Sequence, residues 1–357
     1  MTQQNINLTL PRRWNECSAE QLEMIARIFI EQTHLIDRYH PFSMLNVKLA
    51  IFIVFSEIEV LRYPDELLPI GEQYYLCRRL ADRPRRWRRL RKSDDEASFQ
   101  LYVWQLQYWL SPKRNPRTPA DSPEALTAGA GLLDWLDSDT PDLLTRFAYP
   151  TLRLGREGSF LKRKEFQGPQ PDLDGFSWQQ YRFASDLMQQ YVALSNNLLR
   201  MRSDRRFTHS QIVQQERSVN TARAMFLATI FNAKTEYIDT NTGIRKKDFH
   251  YELSQHTDNQ GYFLAFPEHR WQVILFWWTG ITHTLSKRFP RVFKLQKIDA
   301  RKAPSTALEI YTATIATMQK YTGLDEDKVN NQSYSLVLEH LERLSKENEE
   351  IEKIRKK

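Results

Sequence analysis

Arginine carries the most chemical potential in this sequence, and much of it is concentrated in one run. From Cys77 to Lys92 the chain reads Cys-Arg-Arg-Leu-Ala-Asp-Arg-Pro-Arg-Arg-Trp-Arg-Arg-Leu-Arg-Lys, with eight arginines placed around Trp87. The candidate contact residues are Arg78, Arg79, Arg85, Arg86, Trp87, Arg88, Arg89, Arg91 and Lys92. Guanidinium groups at this density suit phosphates, and the indole offers a face on which a base can stack. The same planar forks suit carboxylates on an acidic protein. Asp94, Asp95 and Glu96 lie just downstream and would balance the run if it were only a solvated loop. Nucleic acid, protein partner and solvent all stay open.

Other reactive groups are sparse. His34 and His40 lie six residues apart, as do His250 and His256. Two ligands on one helix face need a spacing of three or four, so even with Asp37 between the first pair these read as ordinary surface or cap histidines. Two cysteines, Cys17 and Cys77, rule out a disulfide framework and argue against a cysteine zinc site; a reducing compartment is the simplest setting. There is no glycine-rich phosphate loop, nucleophile elbow, paired CxxC or HExxH pattern. The sequence therefore offers no catalytic residue, no cofactor site and no metal site. It reads as a binding protein rather than an enzyme.

The elements that must position these groups are mostly helical. The 357 residues are 41% hydrophobic, ample for a real core, while only 11 glycines argue against a glycine-rich β architecture. Ile6, Leu8 and Leu10 alternate like a short strand that Pro11 ends. Ser18-Ala-Glu-Gln21 forms a capping-box pattern that predicts a helix running to about Thr33. A second helix is predicted from Pro41 or Phe42 to Leu61, broken by Pro64. Leu67 to Leu80 is ambiguous, and Ser98 to Leu110 fits period 2 and period 3.6 about equally.

Five prolines between Ser111 and Asp142 predict a linker or irregular excursion, and Gly155 to Gly175 extends the break. Ser177-Trp-Gln-Gln180 repeats the capping-box pattern and opens a helix through Leu199, and Gln211 to Phe231 continues in helical character. Tyr237 and Ile238, then Thr240-Asn-Thr-Gly243 with Asn241 and Gly243 suited to positive φ, then Ile244 to Phe249, predict a β-hairpin near 235–251. Helices follow over Pro267 to Leu285, where Trp271, Phe276, Trp277 and Trp278 read as a core stripe, with a partner-binding surface as the alternative, and from Ser305 to Gly323. The expected architecture is mainly α: an irregular helical bundle with one or two short β-hairpins, whose halves can form two helical subdomains. The expected divisions are 1–110, a Pro/Gly-rich stretch over 111–175, and 176–357.

Two apolar segments, Ala50 to Phe55 and Val273 to Trp278, are too short and too closely flanked by charge to cross a bilayer. The N-terminus lacks a signal-peptide pattern, so the expectation is a soluble, cytoplasmic protein with no membrane partner. The formal charge of +7 is modest for this length and decides no partner by itself.

The last helix, starting near Asn331 or Ser333, carries Val337, Leu341, Leu344 and Ile351 at heptad-like spacing, with Asn348 on the same seam. About two heptads are too few for a free coiled coil, so this stripe either packs on its own domain or meets another chain. Four patches also carry a resemblance. They are Leu8 to Glu16, Phe166-Gln-Gly-Pro with Phe176-Ser-Trp-Gln-Gln-Tyr, Trp278-Thr-Gly-Ile with Lys287-Arg-Phe-Pro-Arg-Val-Phe293, and Ala307 to Glu349. Together these resemble proteins encoded in prophage tail-gene clusters, and the C-terminal part is similar to phage tail assembly chaperones. The resemblance implies a host-cytoplasmic or virion-associated role in tail morphogenesis. It implies tape-measure or tail-tube proteins as partners, and no catalytic residues.

Overall fold

The computed structural model describes residues 11, 13–36, 44–65, 67–69, 71–79, 98–103, 106, 110, 133–136, 143–156, 163–238, 243–293 and 307–355. The chain forms two compact units, Met1–Leu144 and Thr145–Lys357. The division falls inside the proline- and glycine-rich 111–175 stretch. The Ile6 to Leu10 strand pattern and most of residues 111–142 lie outside the described residues.

The first unit opens with helix α1, Ala19–Ile36. Its start is the capping box read from sequence. The Gln21 amide donates to the Ser18 hydroxyl at 3.2 Å, and the Ser18 amide donates to the Gln21 side chain at 2.8 Å. Leu22, Ile25 and Ile28 are buried and the helix packs on α2, Met44–Phe55, which buries Val47, Ile51 and Phe52. The predicted second helix is thus too long at its C-terminal end. Glu57 adopts a left-handed φ of 53°, and Ile58–Arg62 leaves the helix to become strand β1. Ile58 and Val60 suit a pleated, half-buried surface, and pairing with a neighbouring strand overrides local helix propensity.

That neighbour is β2, Tyr74–Arg79, which pairs on its other side with β3, Ser98–Tyr102. Cys77 sits opposite Val60 on one side and Phe99 on the other, so the second half of the ambiguous 67–80 segment, Tyr74–Arg79, is the central strand of a three-stranded antiparallel sheet. Of the 98–110 run, the described residues show strand over Ser98–Tyr102 and helical backbone at Val103, Leu106 and Leu110, of which Leu106 and Leu110 are buried.

The second unit begins with strands β4, Thr151–Gly155, and β5, Arg163–Gln167. Residues of the supposed irregular stretch therefore pair in register, Thr151 with Gln167 and Gly155 with Arg163. Two long helices follow, α3 over Trp178–Ser203 and α4 over His209–Ile230, packed as an antiparallel hairpin. Strands β6, Asn232–Ile238, and β7, Arg245–His250, then complete a four-stranded antiparallel sheet in the order β4-β5-β6-β7. The predicted hairpin is this β6–β7 pair, and Gly243 takes the expected positive φ of 67°. Two small antiparallel sheets replace the one or two hairpins expected, and the chain is otherwise mainly helical among the described residues.

The remaining helices are α5 (His256–Phe263), α6 (Glu268–Arg288), α7 (Ala307–Thr322), α8 (Glu326–Asn331) and α9 (Tyr334–Arg355). The tryptophans of the aromatic stripe of α6 are core, while Phe276 is half-buried. Trp271, Trp277 and Trp278 are all buried, their rings meeting Tyr191, Phe147 and Phe226. The Trp271 indole donates to the Tyr191 hydroxyl at 2.8 Å and that of Trp277 to the Thr145 carbonyl at 3.1 Å, so neither is left unsatisfied.

The Phe166 to Tyr181 patch ties this unit together. A side chain at Gly168 would run into the Phe147 ring and the Tyr149 carbonyl. Asp172 and Leu173 both hold left-handed backbone angles, an arrangement that persists only where surrounding contacts fix it. Leu173 is fully buried, and the Tyr334 hydroxyl donates to the Asp172 carbonyl. The second capping box forms only in part. The Gln180 amide donates to the Ser177 hydroxyl, but the buried Gln180 side chain donates to the Thr229 carbonyl at 2.8 Å and to Asn232 at 3.1 Å. Burial recruits that amide into tertiary packing instead of the cap.

Candidate interaction surfaces

Helix α9 is rooted in the core and exposed at its far end. Its first residue is locked to the start of α3: the Tyr334 amide donates to the Phe176 carbonyl at 3.1 Å, and the Trp178 amide donates to the Gln332 carbonyl at 2.7 Å. Val337 and Leu338 are buried. One to three turns on, Glu342 accepts from the Arg291 amide, the Val292 amide and the Arg291 guanidinium at 2.9, 3.1 and 3.0 Å, and Glu349 accepts from Arg291 at 3.2 Å. These charge-assisted bonds raise the Arg291 pKa further above its ordinary value and fix the helix direction. Beyond them, Ile351 and Ile354 are 48% and 73% exposed.

The predicted stripe is therefore not one surface. Val337 belongs to the core, Leu341 and Leu344 are half-buried, and Asn348 and Ile351 face solvent. Position along the helix, which periodicity does not encode, separates them. Only the outer part remains available to a partner.

The arginine run is brought into view only at its start. Arg78 is buried in β2 and pairs with Glu59 at 3.0 Å, so it serves the sheet rather than a ligand. Arg79 is the last residue of the same strand. Arg85, Arg86, Trp87, Arg88, Arg89, Arg91 and Lys92 lie outside the described residues.

A second arginine cluster escaped the sequence reading. Arg200, Arg202, Arg205 and Arg206 fall at the turn between α3 and α4, with Asp204 as the one acidic residue among them. All four arginines are exposed. Arg206 pairs with Asp204 at 2.6 Å and Arg202 with Glu216 at 2.7 Å. Between Val192 and Thr221 only Leu198 and Met201 are buried, so this end of the hairpin stands clear of the unit's core. The pattern Arg-Met-Arg-Ser-Asp-Arg-Arg, ending a long helical period, was the available signal; the denser run at 78–92 overshadowed it.

The groups that could support catalysis are dispersed. His256 is buried between the rings of Tyr251 and Phe183, which corrects its reading as a surface histidine, although it does cap the short Leu253–Gln255 turn. Its Nε2 has no hydrogen-bond partner among the described residues, and burial lowers its pKa, favouring the neutral ring. Lys164 on β5 donates to Asn259 at 2.9 Å; burial lowers its pKa, and the Asp258 carboxylate opposes part of that shift. Cys17 and Cys77 are buried and form no disulfide; the Cys17 thiol donates to the Arg13 carbonyl at 3.7 Å, and burial pushes the Cys77 thiol up to about 11. No group of three or more His, Cys, Asp or Glu side chains among the described residues could hold a metal ion. No helix among them is long and apolar enough to cross a membrane.

Comparison with protein-family models, curated proteins and solved structures finds no match to this chain. The prophage resemblance rests on its sequence patches. Several of those patches, including Gly168, Trp178, Gln180 and Trp278, are residues that build the core of the second unit.

Proposed function

We propose that the protein is a non-enzymatic assembly protein of phage tails that holds a tape-measure or tail-tube protein in the host cytoplasm. The observation that carries this reading is the divided stripe of α9. A helix pinned at its root by the α3 junction and midway by Arg291 presents Ile351 and Ile354 to solvent in a fixed direction. A pre-oriented apolar helix end loses little entropy on meeting a partner helix, which favours a binding role. The prophage resemblance supplies the setting and the class of partner.

Co-expression with the tape-measure or tube protein, followed by affinity pull-down, tests the proposal. A complex is expected with the wild type and a several-fold poorer yield with Ile351→Asp/Ile354→Asp, whose targets lie outside the core. Failure to recover a complex with either virion protein would overturn it.

A further inference from the structure

We propose that the turn end of the α3–α4 hairpin is a nucleic-acid-binding surface that grips the phosphate backbone. This goes beyond the protein-binding role assigned to α9 and uses a different part of the second unit. The hairpin end carries Arg200, Arg202, Arg205 and Arg206, and Arg217 follows Glu216 directly on α4, about two turns from its start. Asp204 and Glu216 engage Arg206 and Arg202. Arg200, Arg205 and Arg217 make no ion pair with a described residue, and all three are exposed.

Three features favour a phosphate backbone. The cationic groups are all arginine, whose planar fork binds phosphate oxygens through paired N–H donors. Phe207, 38% exposed and next to Arg206, offers an aromatic face beside the charges. The twelve or so residues of α3 beyond Tyr191 span about 18 Å at the helical rise of about 1.5 Å per residue, and only Leu198 and Met201 among them are buried, so the arginines sit on a largely exposed stretch. An acidic protein could use the same guanidinium groups, and the test separates the two.

The experiment is fluorescence anisotropy of the full chain against a labelled DNA duplex of roughly 20 base pairs over a range of salt concentrations. The wild type is expected to bind, with an affinity that falls steeply as salt rises. Arg200→Gln/Arg205→Gln/Arg206→Gln should bind about 10-fold or more weakly at low salt, and the log–log salt slope should lose about 2 to 3 units. Because the three targets are exposed, an unchanged melting curve will show that the loss is not unfolding. Arg85→Ala/Arg86→Ala/Arg88→Ala/Arg89→Ala, in the other arginine run, should retain most of the binding. Absence of binding at low salt, or binding indifferent to the hairpin substitutions, overturns the proposal. A loss at least as large in the 85–89 variant does so too, as does binding of poly-glutamate without binding of DNA.

Discussion

Replacing Val337 by Ala should destabilise the second unit by about 2 kcal/mol, while replacing Ile354 by Ala on the same helix should change stability by less than about 0.5 kcal/mol. Val337 is 0% exposed, so losing two methyl groups forfeits about 0.8 kcal/mol each. A residual cavity adds to this because the neighbours, Leu338 and Tyr334 among them, are themselves buried. Alanine's better helix propensity returns a few tenths of a kcal/mol. At Ile354, 73% exposed, little apolar area is buried to begin with, and the propensity gain nearly offsets its loss. Urea unfolding followed by tryptophan fluorescence measures both, with the transition of the second unit reported by Trp271, Trp277 and Trp278. If the two substitutions shift the midpoint equally, or Val337→Ala costs under about 0.5 kcal/mol, the division of α9 into core root and exposed end is wrong.

Gly168→Ala should cost about 2 kcal/mol or more, because the new methyl meets a backbone carbonyl that cannot move aside; thermal melting measures it, and a neutral result would contradict the packing around Phe147. Gln180→Leu should cost about 1–3 kcal/mol by leaving the Thr229 carbonyl without its buried donor, read from the same urea titration. For His256 the folded pKa lies below the unfolded value of about 6.5, so its contribution is complete above that pH and is lost as pH falls below it. The melting temperature of the wild type should therefore drop more between pH 7.5 and 5.5 than that of His256→Leu; parallel curves would exclude the effect. Neither Cys17 nor Cys77 should react with iodoacetamide in the folded protein at pH 8, and both should be labelled in urea, as mass spectrometry will show.

Much of the local structure was written in the sequence because its causes are local. Ser18 and Gln21 cap α1 across three residues, Gly243 takes its positive φ where a hairpin turn demands it, and Gly323 does the same after α7. The tryptophans of α6 announced a buried face through their spacing and size alone. The absence of familiar catalytic motifs was equally plain.

What the tertiary structure decided is where identical local patterns are spent. Ile58 to Arg62 could extend a helix but pairs with β2, and Gln180 could complete a cap but is drawn to Thr229 and Asn232. Arg78 opens the basic run yet is consumed by Glu59, whereas the less conspicuous Arg200 and Arg205 are held out at the hairpin end. The α9 stripe shows the same limit most clearly. Its period places Val337 and Ile351 on one face, and only the packing against α3 and α7 determines that the first is core and the second is surface. Periodicity reports the angle around a helix axis; burial depends on what else lies along it.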